Sequence, residues 1–150
     1  MVTTVGTSTD IKDLVENFIL LERDAIAAYD EVIARLDSPA RKERVSQFKS
    51  DHERHLDELT RLAARVGANV PQEPDAKSML TTGEVQLADM AGGDGAILKA
   101  MSTNETDTVT AYERGCDNTA VPVEDRAIFA RALEDERSHK AWMEAEAKAA

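Results

Sequence analysis

Six side chains of metal-ligating type interrupt apolar stripes at helical spacing. Glu22 falls between Phe18 and Tyr29, His52 and His55 between Phe48 and Leu59, Glu105 between Met101 and Tyr112, and Glu136 and His139 between Leu133 and Met143. A lone charge on a core-facing stripe costs several kcal/mol unless it is paired or binds a metal. Four separate interruptions therefore suggest one shared cause. Glu22 lies 33 residues before His55 and Glu105 lies 34 before His139, so two Glu/His sets recur in nearly the same register. His52 and His55, and likewise Glu136 and His139, are i,i+3 pairs that share a helix face. Iron and manganese favour hard carboxylate oxygens together with imidazole nitrogen. Carboxylates can also bridge two ions and offset their charge.

These side chains need long helices to hold them. The periodicity predicts helices over about 10–36, 39–66, 95–117 and 122–148. The first carries Ile11, Leu14, Val15, Phe18, Ala25, Tyr29, Val32, Ile33 and Leu36 at three-four spacing. The second carries Val45, Phe48, Leu59, Leu62 and Val66; Ser38-Pro39 opens it and Gly67 closes it. In the fourth, Ile128, Ala132, Leu133, Trp142 and Met143 are expected to face inward. Short loops join helices one and two, and three and four, so each pair is an antiparallel hairpin. Residues 67–94 read as a long crossover, with room for a short helix at Thr82–Met90. The expectation is an all-α four-helix bundle forming one domain over residues 1–150.

The halves also repeat. Glu22, Asp24, Ala28 and Tyr29 align with Glu105, Asp107, Ala111 and Tyr112, as two related hairpins facing each other would require. Tyr29 and Tyr112 read as core residues whose hydroxyls bond inward carboxylates. Asp24, Asp107 and Asp135 are candidate partners that would orient the histidines. A plainer alternative places Glu22 and Glu105 at the rim, paired with Arg54 or Arg137.

Composition narrows the partners. Lys and Arg total 18 against 29 Asp and Glu, a net charge of −11, which disfavours nucleic acid and anionic membranes and favours cations. No apolar run is long enough to span a bilayer, and MVTTVGTSTD lacks the basic segment and apolar core of a secretion signal. The one cysteine, Cys116, excludes an internal disulfide and a cysteine-cluster metal site. A cytoplasmic protein is expected, and a homo-oligomer of two or more copies.

The pattern of Glu22, the His52/His55 pair, Glu105 and Glu136-x-x-His139 resembles the ferritin-like superfamily of dimetal carboxylate proteins. That superfamily includes bacterioferritins, rubrerythrins, manganese catalases and small bacterial ferritin-like proteins of about this length. The resemblance covers nearly the whole chain. It implies two bound metal ions, iron first and manganese or zinc as alternatives, held by Glu22, His52, His55, Glu105, Glu136 and His139. It implies a non-haem protein that oxidises Fe²⁺ or reduces O₂ or peroxide, as a ferroxidase or peroxidase-type oxidoreductase in metal homeostasis or oxidative-stress defence. The chain departs from the pattern at His52, where a Glu is expected. Glu53 is the alternative ligand, since Glu22 to Glu53 and Glu105 to Glu136 are both 31 residues. The departure leaves open a different reading, a metal-free or structural-metal helical interaction protein with a degenerate site.

Overall fold

The computed structural model describes residues 3–73 and 92–150. Among them are four long α-helices and no strand: α1 (Ile11–Arg35), α2 (Pro39–Val66), α3 (Gly93–Asp117) and α4 (Arg126–Ala149). A single 3₁₀ turn, Val123–Asp125, precedes α4, so the last helix begins four residues later than the periodicity suggests. Pro122 and the bond from the Asp125 N–H to its carbonyl (2.9 Å) tighten the chain into that turn first.

Local chemistry sets the helix ends. Asp10 accepts the Lys12 N–H (2.8 Å) and starts α1. Ser38 accepts the Arg41 N–H (3.3 Å) to start α2, with Pro39 at the first helical position. Gly67, at φ +75°, takes the left-handed conformation that stops α2, and the Ala68 N–H returns to Ala63 O (2.9 Å). Asp94 in the first turn of α3 serves a neighbour. It accepts the Asp37 and Ser38 N–H groups (2.8 and 3.1 Å) and pairs with Arg41 (3.1 Å), tying α3 to the α1–α2 corner.

These ties also give the topology. Asp94 places the start of α3 beside the end of α1, and Asp125 pairs with Arg65, placing the start of α4 beside the end of α2. Each helix is thus antiparallel to its hairpin partner, and α1 packs on α3 as α2 packs on α4. The chain between α2 and α3 must travel the length of the bundle, about 42 Å for a 28-residue helix. Its first part climbs along α1: the Asn69 N–H bonds Glu16 (2.8 Å) and the Arg23 Nε–H bonds the Pro71 carbonyl (2.7 Å). The expected short helix at Thr82–Met90 lies outside the described residues.

Most of the expected α1 and α2 stripe is buried, with Ile11, Ile33 and Val66 half-buried against the core. Ile19 and Leu21 are also fully buried on α1. On α4 it is Phe129 that is fully buried, whereas Ile128, Leu133 and Trp142 are half-buried against the core. Phe129 stacks with Phe18 and Tyr112 (ring centres 5.1 and 6.1 Å) below the polar cluster. Gly115 makes this possible, because a Cβ there would lie 2.6 Å from the Phe129 ring.

Candidate metal centre

All six predicted site residues converge in the middle of the bundle, each no more than 2% exposed. They form two overlapping quartets: Glu22, His52, His55 and Glu136, and His52, Glu105, Glu136 and His139. Within each quartet one ligand atom per residue lies within 4.8 Å of all the others. His52 and Glu136 belong to both. Glu53 lies elsewhere: its side chain is 56% exposed and faces Lys49 at 3.6 Å. One residue along a helix is a rotation of about 100°, enough to turn position 53 outward once 52 faces in.

The histidines are oriented from across the bundle. The His55 Nε2–H donates to Asp135 on α4 (2.8 Å), and the His139 Nε2–H donates to Asp51 on α2 (2.8 Å). Because each carboxylate can only accept, the proton stays on Nε2 and Nδ1 is turned inward. Asp135 is one of the partners the sequence suggests for this role; Asp51 is an addition from the structure. Its signal was present in the sequence, since Asp51 stands four residues before His55 as Asp135 stands four before His139. Asp107 does not serve a histidine but accepts the Thr3 N–H of the N-terminal arm (3.3 Å), and Asp24 is buried on α1.

The carboxylates are held by hydroxyls. Tyr112 donates to Glu22 (2.5 Å) and Tyr29 donates to Glu105, each reaching between α1 and α3. The Thr108 hydroxyl lies between Glu105 (2.8 Å) and Glu136 (2.9 Å). Glu22 and Glu105 are therefore not rim residues. Arg54 pairs with Asp51 and Asp135, and Arg137 with Glu113.

Electrostatics binds the cluster into one unit. Burial opposes charge on His55, but the nearby Glu22 carboxylate, the bond to Asp135 and the Glu136 carboxylate outweigh it, so its pKa is pushed up to about 12. Burial likewise opposes charge on His52, and the Glu136 and Glu22 carboxylates hold it well above the usual imidazole range. Glu136 lies well below the ordinary carboxylate range despite burial, chiefly through His52. Glu105 moves the other way, up to about 7, through burial and then the neighbouring Glu136 charge. The single Thr108 hydroxyl proton cannot serve both carboxylates, and a proton on Glu105 completes that arrangement.

The unpartnered atoms of the donor set bear on whether it fits a metal. Five buried side-chain polar atoms among the described residues lack a hydrogen-bond partner, and four of them are His52 Nε2, His55 Nδ1, His139 Nδ1 and Glu136 Oε1. Such atoms are rare in a folded interior because each costs about 1–3 kcal/mol. Here all four belong to the two quartets, and their oxygen and imidazole types suit a divalent transition metal. The residues fit a metal, and the buried clusters could hold one.

Fold and cluster together define an all-α bundle with a buried carboxylate–imidazole centre. A family profile described as Domain of unknown function (DUF2383) matches residues 7–118, about three quarters of the chain, and the chain belongs to that family. The matched stretch contains Glu22, His52, His55 and Glu105, while Glu136 and His139 lie beyond it. Comparisons with curated proteins and with solved structures gave no match.

Proposed function

We propose that this chain is a ferritin-like dimetal protein, folded as one domain over residues 1–150, that oxidises Fe²⁺ or reduces O₂ or peroxide. The carrying observation is the coincidence of the two quartets with four unpartnered buried ligand atoms. Glu22 and His55 would hold one ion, Glu105 and His139 the other, with Glu136 between them and His52 as a further nitrogen ligand. Iron is the first choice, and manganese or zinc the alternatives. When bound, such an ion supplies the redox chemistry. The protein's own groups do the rest: Tyr29 and Tyr112 hold the carboxylates in place, Asp51 and Asp135 keep the Nδ1 atoms inward, and the surrounding core excludes bulk water. A cytoplasmic homo-oligomer is part of this reading, and its net charge of −11 suits a cation-handling protein.

One observation favours the metal-free alternative. His52 Nδ1 already lies 2.7 Å from Glu22 and 3.5 Å from Glu136, so an imidazolium can occupy the space between carboxylates where an ion would sit.

Anaerobic titration of untagged protein with Fe²⁺ separates the two. The metal reading expects saturable binding and a raised melting temperature, because a ligand specific to the folded state stabilises it. The double variant Glu105→Ala, Glu136→Ala should lose both. A wild type that binds no Fe²⁺, Mn²⁺ or Zn²⁺ and melts unchanged in their presence would establish the metal-free alternative.

A further inference from the structure

The two hairpins are related by an offset of 84 residues between α2 and α4, which pairs Asp51 with Asp135, His55 with His139 and Arg54 with Ser138. The last pair is chemically unequal, and the surface above the cluster differs accordingly. On the His55 side, Arg54 spans the helices to Asp135 (2.8 Å), and Arg131 reaches back from α4 to Glu58 (3.1 Å). Two guanidinium–carboxylate bridges therefore join α2 and α4 near His55. On the His139 side, Ser138 is exposed and too short to span anything. A cavity of about 300 Å³ opens there, lined among others by Phe48, Asp51, Asp135, Ser138 and His139. Arg44 also lines it, over the Phe48 ring (4.9 Å) and bonded to Gln47 (2.9 Å).

We infer that this cavity is the entrance through which a hydrated divalent cation reaches the buried cluster, and that Ser138 leaves it open. The inference rests on the reading of the cluster as a metal centre. The size is adequate, since six waters occupy about 180 Å³. The lining offers a cation two oxygen donors beside the Arg44 and Arg54 guanidiniums: Asp51 and Asp135, each also paired with Arg54, present carboxylates at 35% and 28% side-chain exposure, against histidines that are only 1–2% exposed. An incoming ion thus meets partly hydrated carboxylates before the dry ligand set, a graded exchange of water for protein oxygen. The His139 end of the centre is reached first and the His55 end fills through it.

The test is the rate of Co²⁺ uptake, followed by its visible absorption in a stopped-flow experiment on the full-length metal-free protein. Ser138→Arg, which places on α4 the residue found at the equivalent α2 position, should slow uptake at least tenfold while the equilibrium stoichiometry stays that of the wild type. Because an added positive charge repels cations by itself, a second arm uses Ser138→Cys in a Cys116→Ser background. After folding, that variant is alkylated with a bulky uncharged maleimide. The alkylated protein should also take up Co²⁺ at least tenfold more slowly than its unmodified form, and this arm stands even if Ser138→Arg does not fold. Unchanged uptake after alkylation, with normal equilibrium binding, would overturn the entrance and leave the metal centre intact. No equilibrium Co²⁺ binding by the wild type would overturn both.

Discussion

The half of the cluster around His55 and the half around His139 use the same plan with different parts. Each has an Asp four residues before its histidine, a histidine held from the opposite helix, and a Glu on α1 or α3 held by a tyrosine of the facing helix. Three of their differences bear on the cluster. His52 stands opposite Glu136, Arg54 opposite Ser138, and Thr108 on α3 opposite Ala25 on α1. The first two changes concentrate positive charge on α2, and the third gives the His139 half a hydroxyl between its carboxylates. Glu22 and His55 repeat as Glu105 and His139, while the 52/136 position within the cluster and its neighbours differ in charge. The frame requires both halves to stay in register; charge and access can be set on one side alone.

The largest effect should come from the residue both halves share. Glu136→Ala leaves His52 and His55 facing one fewer carboxylate in a dry interior, and should cost about 3–5 kcal/mol in the metal-free protein. Glu22→Ala removes a ligand from one quartet only. Chemical denaturation with and without Mn²⁺ should therefore show no metal stabilisation left in Glu136→Ala and part of it left in Glu22→Ala. Equal residual stabilisation in both would mean the halves do not share Glu136.

Making the halves alike should come next. His52→Glu places a fourth carboxylate among Glu22, Glu105 and Glu136, and should destabilise the metal-free protein by about 3 kcal/mol. Metal should restore that loss, and an anaerobic Fe²⁺ titration should show the second ion bound more tightly than in the wild type. Glu53→Gln, on the exposed face with Lys49, should change neither measurement.

The orienting carboxylates should have a smaller, graded effect. Asp51→Asn and Asp135→Asn each free a histidine ring to turn its Nδ1 away, and should lower metal affinity about 10–100-fold in competition titrations with a chelator. Asp135→Asn should be the more severe, because Asp135 Oδ2 also holds Arg54 at 2.8 Å, whereas Arg54 reaches Asp51 at 3.2 Å. Equal effects would mean that Arg54 contributes nothing to the His55 half.

Asp94, at the end of the bundle and outside both halves, supplies the baseline. Asp94→Asn should cost about 1 kcal/mol through weakened capping of the α2 start and leave metal binding unchanged. The Asp37 and Ser38 N–H groups and Arg41 hold its native pKa below the ordinary value of 3.8. Its contribution is thus complete above pH 3.8 and fades as pH falls through the native value. Denaturant midpoints of wild type and variant should converge in acid.

The residue types of the cluster, their helix faces and the four helices were legible because they depend on periodicity and on residues that cannot be buried without a partner. Glu22, His52, His55, Glu105, Glu136 and His139 each sit where a leucine would otherwise pack, and a single chain displays that conflict openly. Even the choice of His52 over Glu53 as the inward residue follows from a 100° rotation against Phe48 and Leu59. Periodicity names the face a residue occupies but not the residue it meets on another helix, because that depends on the relative height and rotation of two packed helices. The tertiary structure alone decided that Asp51 serves His139 and Asp135 serves His55, that Tyr29 holds Glu105 and Tyr112 holds Glu22, and that Asp107 turns to the N-terminal arm. It also decided that Phe129 rather than Ile128 fills the core beside Gly115, where α3 and α4 approach too closely for any side chain on α3. Pairings of this kind arise from contacts 76–104 residues apart in the chain, and they exist only once the helices have docked.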